Sequence, residues 1–80
     1  FNPSTQIRYA LPEDAMVTIS IYDMMGRKVR TLVSQHMSPG YHTTLWNATN
    51  DKGLAVSAGM YIYMIQAGTY HHMKKMVLLK

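Results

Sequence analysis

The chain has 80 residues, no cysteine and a formal net charge of +4 at pH 7. A chain of this length forms one domain, and it buries too little surface to enclose a deep catalytic cleft. The lack of cysteine excludes disulfides, thiolate metal sites and cysteine nucleophiles, while 48% hydrophobic and 15% charged residues indicate a folded domain rather than a disordered tail.

Alternating apolar and polar residues predict three strands in the first half of the chain. The first covers Ile7 to Leu11, and the second covers Val17 to Tyr22, where β-branched residues recur at every second position. The third runs from Lys28 to Val33. A tight turn over Asp23 to Arg27 joins the second and third strands, and its Gly26 can supply a positive φ.

The second half predicts further short strands separated by turn formers. A turn at Ser38-Pro39-Gly40 precedes a strand from Tyr41 to Trp46, and the polar segment Asn47 to Gly53 predicts a loop of Asx-type turns. A short strand is predicted at Leu54 to Val56. The segment Gly59 to Lys80 predicts a hairpin that turns at Ala67-Gly68. In total about seven strands predict an all-β antiparallel sandwich.

The predicted core contains the apolar face of the second strand and the single tryptophan, which together are Val17, Ile19, Ile21 and Trp46. The penultimate strand is apolar on both faces. Met60, Ile62 and Met64 share one face, whereas Tyr61, Tyr63 and Ile65 share the other. One face must therefore contact something besides the core. Three alternatives are open: a neighbouring domain, a second copy of the chain, or soft packing by methionine.

Five segments in order resemble the C-terminal sorting domain of the type IX (Por) secretion system and the related immunoglobulin-like domain of the flagellar hook-capping protein, the FlgD type. They read FNPSTQIRYALP, IYDMMGRKVRTL, PGYHTTLWNATNDKG, AGMYIYMIQAG and MKKMVLLK. The resemblance implies an immunoglobulin-like or fibronectin III-like sandwich spanning residues 1–80, cut from the end of a larger secreted protein.

The same resemblance implies a function in export. The domain would carry a covalently linked upstream cargo through the periplasm and across the outer membrane, to the cell surface or the medium. Its partners would be the outer-membrane translocon and a sortase-like protease. From the size of the chain and the spacing of its polar residues we expect no catalysis, no cofactor, no metal, no nucleic acid and no insertion into the membrane.

Individual residues match motifs of the resembled family. A structural set comprises Asp23, Gly26, Trp46, Gly59 and Tyr61. The sorting signal would be the terminal segment Lys74, Lys75, Met76, Val77, Leu78, Leu79 and Lys80. Two positions depart from the pattern. Ala48 replaces a usual glycine, which predicts a loop that closes without a positive φ there, and Met64 replaces a usual Arg or Lys, which removes a surface charge.

Other chemistry is poorly supported by the pattern. The four histidines, His36, His42, His71 and His72, lack a metal-ligand spacing, and no acid is placed to orient a histidine base beside Ser34 or Ser57. The aromatic residues could form a sugar-stacking platform, although alternation divides them between core and rim; these are Tyr41, Trp46, Tyr61, Tyr63 and Tyr70. Besides the sorting domain, the alternatives are a passive spacer of the hook-capping type and a carbohydrate-binding accessory module.

Overall fold

The computed structural model describes residues 4–79 and contains six β-strands within that range. The strands are β1 (Thr5–Leu11), β2 (Ala15–Asp23), β3 (Lys28–Met37), β4 (Gly40–Trp46), β5 (Gly59–Ala67) and β6 (Tyr70–Leu78). No helix long and apolar enough to cross a membrane occurs among residues 4–79. The all-β prediction is confirmed.

The strands form two antiparallel sheets that pack face to face as a sandwich. One sheet has four strands in the order β3-β2-β5-β6, and the other contains β1 and β4. Consecutive strands β2 and β3 pair directly, as do β5 and β6, whereas the β2–β5 and β1–β4 pairs join distant segments. The predicted final hairpin is therefore present, with Ala67 opposite Tyr70 and a turn at Gly68-Thr69.

The core lies between the two sheets and follows the predicted alternation. Val17, Ile19 and Ile21 are fully buried on β2, and Trp46 is fully buried at the end of β4. On β5, the side chains that point toward the smaller sheet are buried; they are Tyr61, Tyr63, Ile65 and Ala67. Ile7 and Leu11 of β1 close the core from the smaller sheet. The predicted burial of the second strand and the tryptophan is confirmed.

Two strand predictions differ from the structure by more than a residue or two at an end. Strand β3 continues beyond Val33 to Met37, because Ser34, Gln35 and His36 pair with β2 although they lack an apolar alternation. The segment from Leu54 to Val56 is not a strand. It makes only an isolated bridge between Thr49 and Ala55, because the segment folds back on its own loop: Asn50 N donates to Leu54 O, and Val56 N donates to Ala48 O.

Candidate functional site

The Asp23 carboxylate organises the turn between β2 and β3. Its Oδ1 accepts hydrogen bonds from the backbone N–H groups of Met25 (2.9 Å) and Arg27 (3.0 Å), and its Oδ2 accepts one from Arg27 Nε (2.9 Å). These donors, led by the Arg27 backbone, lower the pKa of Asp23 below its usual value. Gly26 adopts a φ of +83°, as the turn predicts. Both motif residues therefore shape a turn.

Trp46 connects the end of β4 to the following loop and to β5. Its indole Nε1 donates to Thr49 O at 2.9 Å, so the buried N–H is satisfied within the loop. Its ring meets the ring of Tyr61 edge to face, with the centroids 5.2 Å apart. The tryptophan is thus a packing residue of the core.

Ala48 has a φ of +61° and is only 3% exposed. The prediction that this loop closes without a positive φ at Ala48 is wrong. The reason is that the backbone on both sides is held in place: Val56 N bonds the Ala48 carbonyl, and Thr49 O accepts the Trp46 indole. The alanine adopts the left-handed conformation that a glycine would adopt more easily, and its methyl group lies in the core.

Tyr61 forms a tyrosine corner near the start of β5. Its hydroxyl donates to Ser57 O at 2.6 Å, four residues upstream, while the ring stays in the core. Burial, with the nearby negative charge of Asp23, raises the pKa of Tyr61. Gly59 begins the strand with a φ of +146°. These two residues direct the chain from the loop into β5.

The polar loop binds to the neighbouring strand β3 rather than enclosing a ligand site. Asn50 Oδ1 accepts from Lys52 N and Leu54 N, which confirms the predicted Asx-type turn. Asp51 Oδ1 accepts from Thr31 N at 3.0 Å, and Asp51 N donates to Val29 O. Sequence reasoning missed these links, because nothing in the local pattern shows that the loop lies against β3.

Arg30 is a second link that sequence reasoning missed. Its Nη1 donates to Thr49 Oγ1 and lies 3.5 Å from Asn47 Oδ1. The guanidinium therefore bridges β3 to the loop after β4.

Across residues 4–79, no three His, Asp or Glu side chains gather into a possible metal site.

The terminal strand β6 lies last in the strand order of the larger sheet. Lys74 is opposite Tyr63 and Lys75 is opposite Ile62, so the two lysines point to opposite faces of the strand. Both are exposed. Met76 is half-buried and Leu78 is 1% exposed, whereas Val77 and Leu79 are exposed. Lys80 lies outside the described residues.

The terminal segment thus serves two roles in the fold. Its inward apolar side chains belong to the core, and its lysines present charge on two separate surfaces. Of the predicted sorting signal, Lys74 to Leu78 lie on one strand, and the two lysines do not form one cationic patch. The period-two alternation of a strand was the signal that could have shown this.

The five aromatic residues proposed as a platform do not share one surface. Trp46, Tyr61 and Tyr63 are buried. Tyr41 is 93% exposed on β4, and Tyr70 is 51% exposed on β6, so the two exposed rings belong to different sheets. A coplanar pair for a sugar ring is not formed by these five residues.

The outer face of β5 is apolar, as predicted. Met60 is 40% exposed, and Ile62 and Met64 are half-buried. The facing residues on β6 are Val77, Lys75 and Met73. We call this surface, formed by Met60, Ile62, Met64, Met73 and Val77, the methionine face. Lys75 lies at its centre.

A sequence model of the FlgD Ig-like domain matches residues 2–70. The chain belongs to this family. Among solved structures, it is similar to FlgD from P. aeruginosa, with a TM-score of 0.72, 18% sequence identity and coverage of 94% of this chain. At this identity the likeness shows a shared fold. The chain spans 60% of that FlgD structure. No curated protein matches the chain significantly.

Proposed function

We propose that this FlgD-type Ig-like domain is a non-catalytic structural unit of a longer protein. The proposal rests on the structural roles of the five residues that match the family motifs. Asp23 and Gly26 form a turn, Trp46 and Tyr61 form a core contact, and Gly59 starts a strand. Each of them builds the sandwich, which supports a structural role for the domain.

In this role the domain acts through its surfaces. A covalently linked neighbouring domain is the first partner, and the methionine face offers apolar area against which such a neighbour can pack. Self-association through Met60, Ile62 and Met64 is a second use of the same area. Both uses need a rigid sandwich rather than an active site.

A second candidate is the type IX sorting signal, which the exposed lysines of β6 favour. Lys74 and Lys75 lie on the last strand of the larger sheet, where a receptor could read both charge and strand backbone. In that role the domain would contact the outer-membrane translocon and a sortase-like protease. The attached cargo would pass through the periplasm to the cell surface or the medium.

An export assay separates the two candidates. The 80-residue domain is fused behind a periplasmic reporter in a bacterium that has the type IX system. If the domain is purely structural, the reporter stays in the periplasm. If the native fusion reaches the surface or medium, the structural proposal is overturned in favour of sorting.

The lysine pair is then tested with a charge-matched control. Lys74→Ala with Lys75→Ala removes two exposed charges, and Lys28→Ala with Lys52→Ala removes two elsewhere. Exposed lysines change stability by no more than about 0.5 kcal/mol each, so both variants should fold. A sorting signal predicts that only the first variant loses export. Deleting Val77 to Lys80 is less informative, because it removes the buried Leu78, and the loss of that core side chain is expected to destabilise the fold.

A further inference from the structure

The outer face of the β5–β6 hairpin gathers three side chains that are soft metal ligands. Met64 lies directly opposite Met73 in the ladder, and His71 lies one row closer to the turn, opposite Gln66. The register of the hairpin is continuous through these rows. Because side chains alternate between the two faces of a strand, Met64, Met73 and His71 all leave the sheet on the same side. We call these three residues the soft-donor cluster.

The antiparallel ladder sets the spacing of the three donors. Directly paired residues have Cβ atoms about 4.5–5.5 Å apart, and diagonal neighbours are about 7–8 Å apart. Residues two apart on one strand are separated by about 7 Å. Met64 and Met73 are therefore the close pair, and His71 completes a triangle with them. A methionine side chain has three rotatable bonds, so both thioether sulfurs can reach an ion held over this triangle.

The soft-donor cluster is accessible and separate from the core. Met73 is 58% exposed, His71 is exposed and Met64 is half-buried. None of the three belongs to the buried core cluster. An ion can therefore reach the donors from solvent, and binding requires no rearrangement of the side chains that hold the sandwich together.

Gln66 positions the imidazole of His71. The Gln66 side-chain amide lies 3.3 Å from His71 Nδ1. Rotation of this amide by half a turn places its oxygen against the Nδ1–H group, and in that tautomer the Nε2 lone pair is available to a metal. A hydrogen bond at the second ring nitrogen is the usual means by which proteins orient a metal-binding histidine. The cluster thus has an outer partner as well as its ligands.

The donor set selects the ion. Thioether and imidazole groups are neutral and soft, and thioethers favour Cu(I) among the biological metals. Strands β5 and β6 contain no carboxylate, whereas Ca²⁺ and Mg²⁺ need oxygen ligands and Zn²⁺ takes Cys, His, Asp or Glu. Lys75 lies on the same face, two residues from Met73, and its charge repels a divalent ion more strongly than a monovalent one.

We propose that Met64, Met73 and His71 bind the soft monovalent cation Cu(I) on the outer face of the hairpin. Cu(I) binding is an activity additional to the structural role of the domain. The spacing of the histidines does not predict this site, because two of the three donors are methionines and one of these comes from the other strand.

A titration of the 80-residue chain tests the proposal. Cu(I) is added without oxygen, in competition with a chromophoric Cu(I) chelator, and the expected result is saturation at one Cu(I) per chain. Ag(I), a redox-inert ion of the same charge and ligand preference, should shift the NMR signals of the Met64 and Met73 methyl groups and the His71 ring. If the Met64→Leu, Met73→Leu double variant binds Cu(I) as tightly as the native chain, the proposal is overturned.

The two adjacent histidines provide a matched pair of variants. His71→Gln should weaken Cu(I) binding at least about tenfold, since loss of even an outer partner of a metal site costs that much. His72→Gln removes the same group on the opposite face of β6 and should leave the affinity unchanged. Met25→Leu is the control for Met64→Leu, because Met25 is 80% exposed on the β2–β3 turn. Equal weakening within either pair contradicts the proposal.

A titration with Zn²⁺ tests the choice of ion. Zn²⁺ should bind more weakly than Cu(I), because only one of the three donors is a ligand that zinc takes. Exchange of methionine for leucine conserves side-chain volume, so thermal denaturation should show that the double methionine variant keeps its fold. If the native chain binds Zn²⁺ as tightly as Cu(I), and the double variant binds both ions equally well, the site is a histidine site and the proposal is wrong.

Discussion

Ala48 combines a strained backbone with a buried side chain. A left-handed conformation costs an L-residue with a Cβ roughly 1–2 kcal/mol, whereas burying one methyl group returns about 0.8 kcal/mol. Burial of the methyl group offsets part of the backbone cost, so alanine is tolerated where glycine would relax the backbone. A larger side chain has no such compensation.

Ala48→Val should therefore lower the free energy of unfolding by at least about 2 kcal/mol. The β-branched side chain is disfavoured at φ +61° and overfills a closed part of the core. Ala10→Val is the control, because Ala10 lies exposed within β1, where valine suits a strand. Urea denaturation of both variants measures the difference. Equal midpoints would contradict the assignment of a buried, left-handed Ala48.

The positive φ of Ala48 is a property of a single residue that the sequence alone could not predict. Alternation correctly identified Val17, Ile19 and Ile21 as core residues, because a strand repeats its faces every two positions. A backbone angle in a loop has no such repeat. It depends here on hydrogen bonds to Thr49 and Val56, which the local sequence does not reveal.

At the scale of elements, Trp46 ties three parts of the fold together. It ends β4, its indole N–H bonds the loop at Thr49, and its ring packs against Tyr61 of β5. The smaller sheet has only two strands, so this contact is a large part of what holds it against the larger sheet.

Trp46→Ala should cost about 3–5 kcal/mol of unfolding free energy, which a domain of this size would barely survive. Tyr41→Ala, at the opposite end of β4, is the control, because that side chain is 93% exposed and should change stability by about 0.5 kcal/mol at most. Thermal and chemical denaturation give both values. An unchanged denaturation midpoint for the Trp46→Ala variant would contradict the assignment of Trp46 to the core.

The strands themselves were largely predictable, with two instructive failures. The sequence predicts that β3 ends at Val33, because Ser34, Gln35 and His36 show no apolar alternation. In the structure these three residues extend β3 through their pairing with β2. Leu54 to Val56 had strand-like composition but lies in a loop that closes on Asn50. Both outcomes depend on contacts distant in sequence. The unequal widths of the two sheets could not be predicted for the same reason, since a period-two pattern does not specify how many strands each sheet contains.

At the scale of the whole molecule, the methionine face is an exposed apolar surface. Its side chains are flexible and apolar, which suits contact with varied partners. Lys75 lies between them, opposite Ile62. A two-fold contact between copies would bring the two Lys75 side chains toward each other, so salt should strengthen any such contact by screening their repulsion.

We expect the isolated domain to self-associate weakly through this face, more at high salt than at low salt. Met64→Arg should suppress the association, because it adds a charge to the contact. Met25→Arg is the control, since Met25 is 80% exposed on the β2–β3 turn. Sedimentation velocity over a range of concentration checks both. A clean monomer at high concentration and high salt, unaffected by either substitution, contradicts the prediction.

The start of β1 and the end of β6 lie at the same end of the sandwich, and this has a mechanical consequence. Thr5, where β1 begins, and Val77, near the end of β6, line the same cavity of about 230 Å³. Wherever the polypeptide continues from both points, it leaves from the same pole of the sandwich. The domain would then stand as a side branch and add little length between its neighbours. Tension between them would peel β1 from β4 and β6 from β5 one hydrogen bond at a time. A domain loaded in this way opens at low force, whereas one pulled from opposite poles must shear many bonds together.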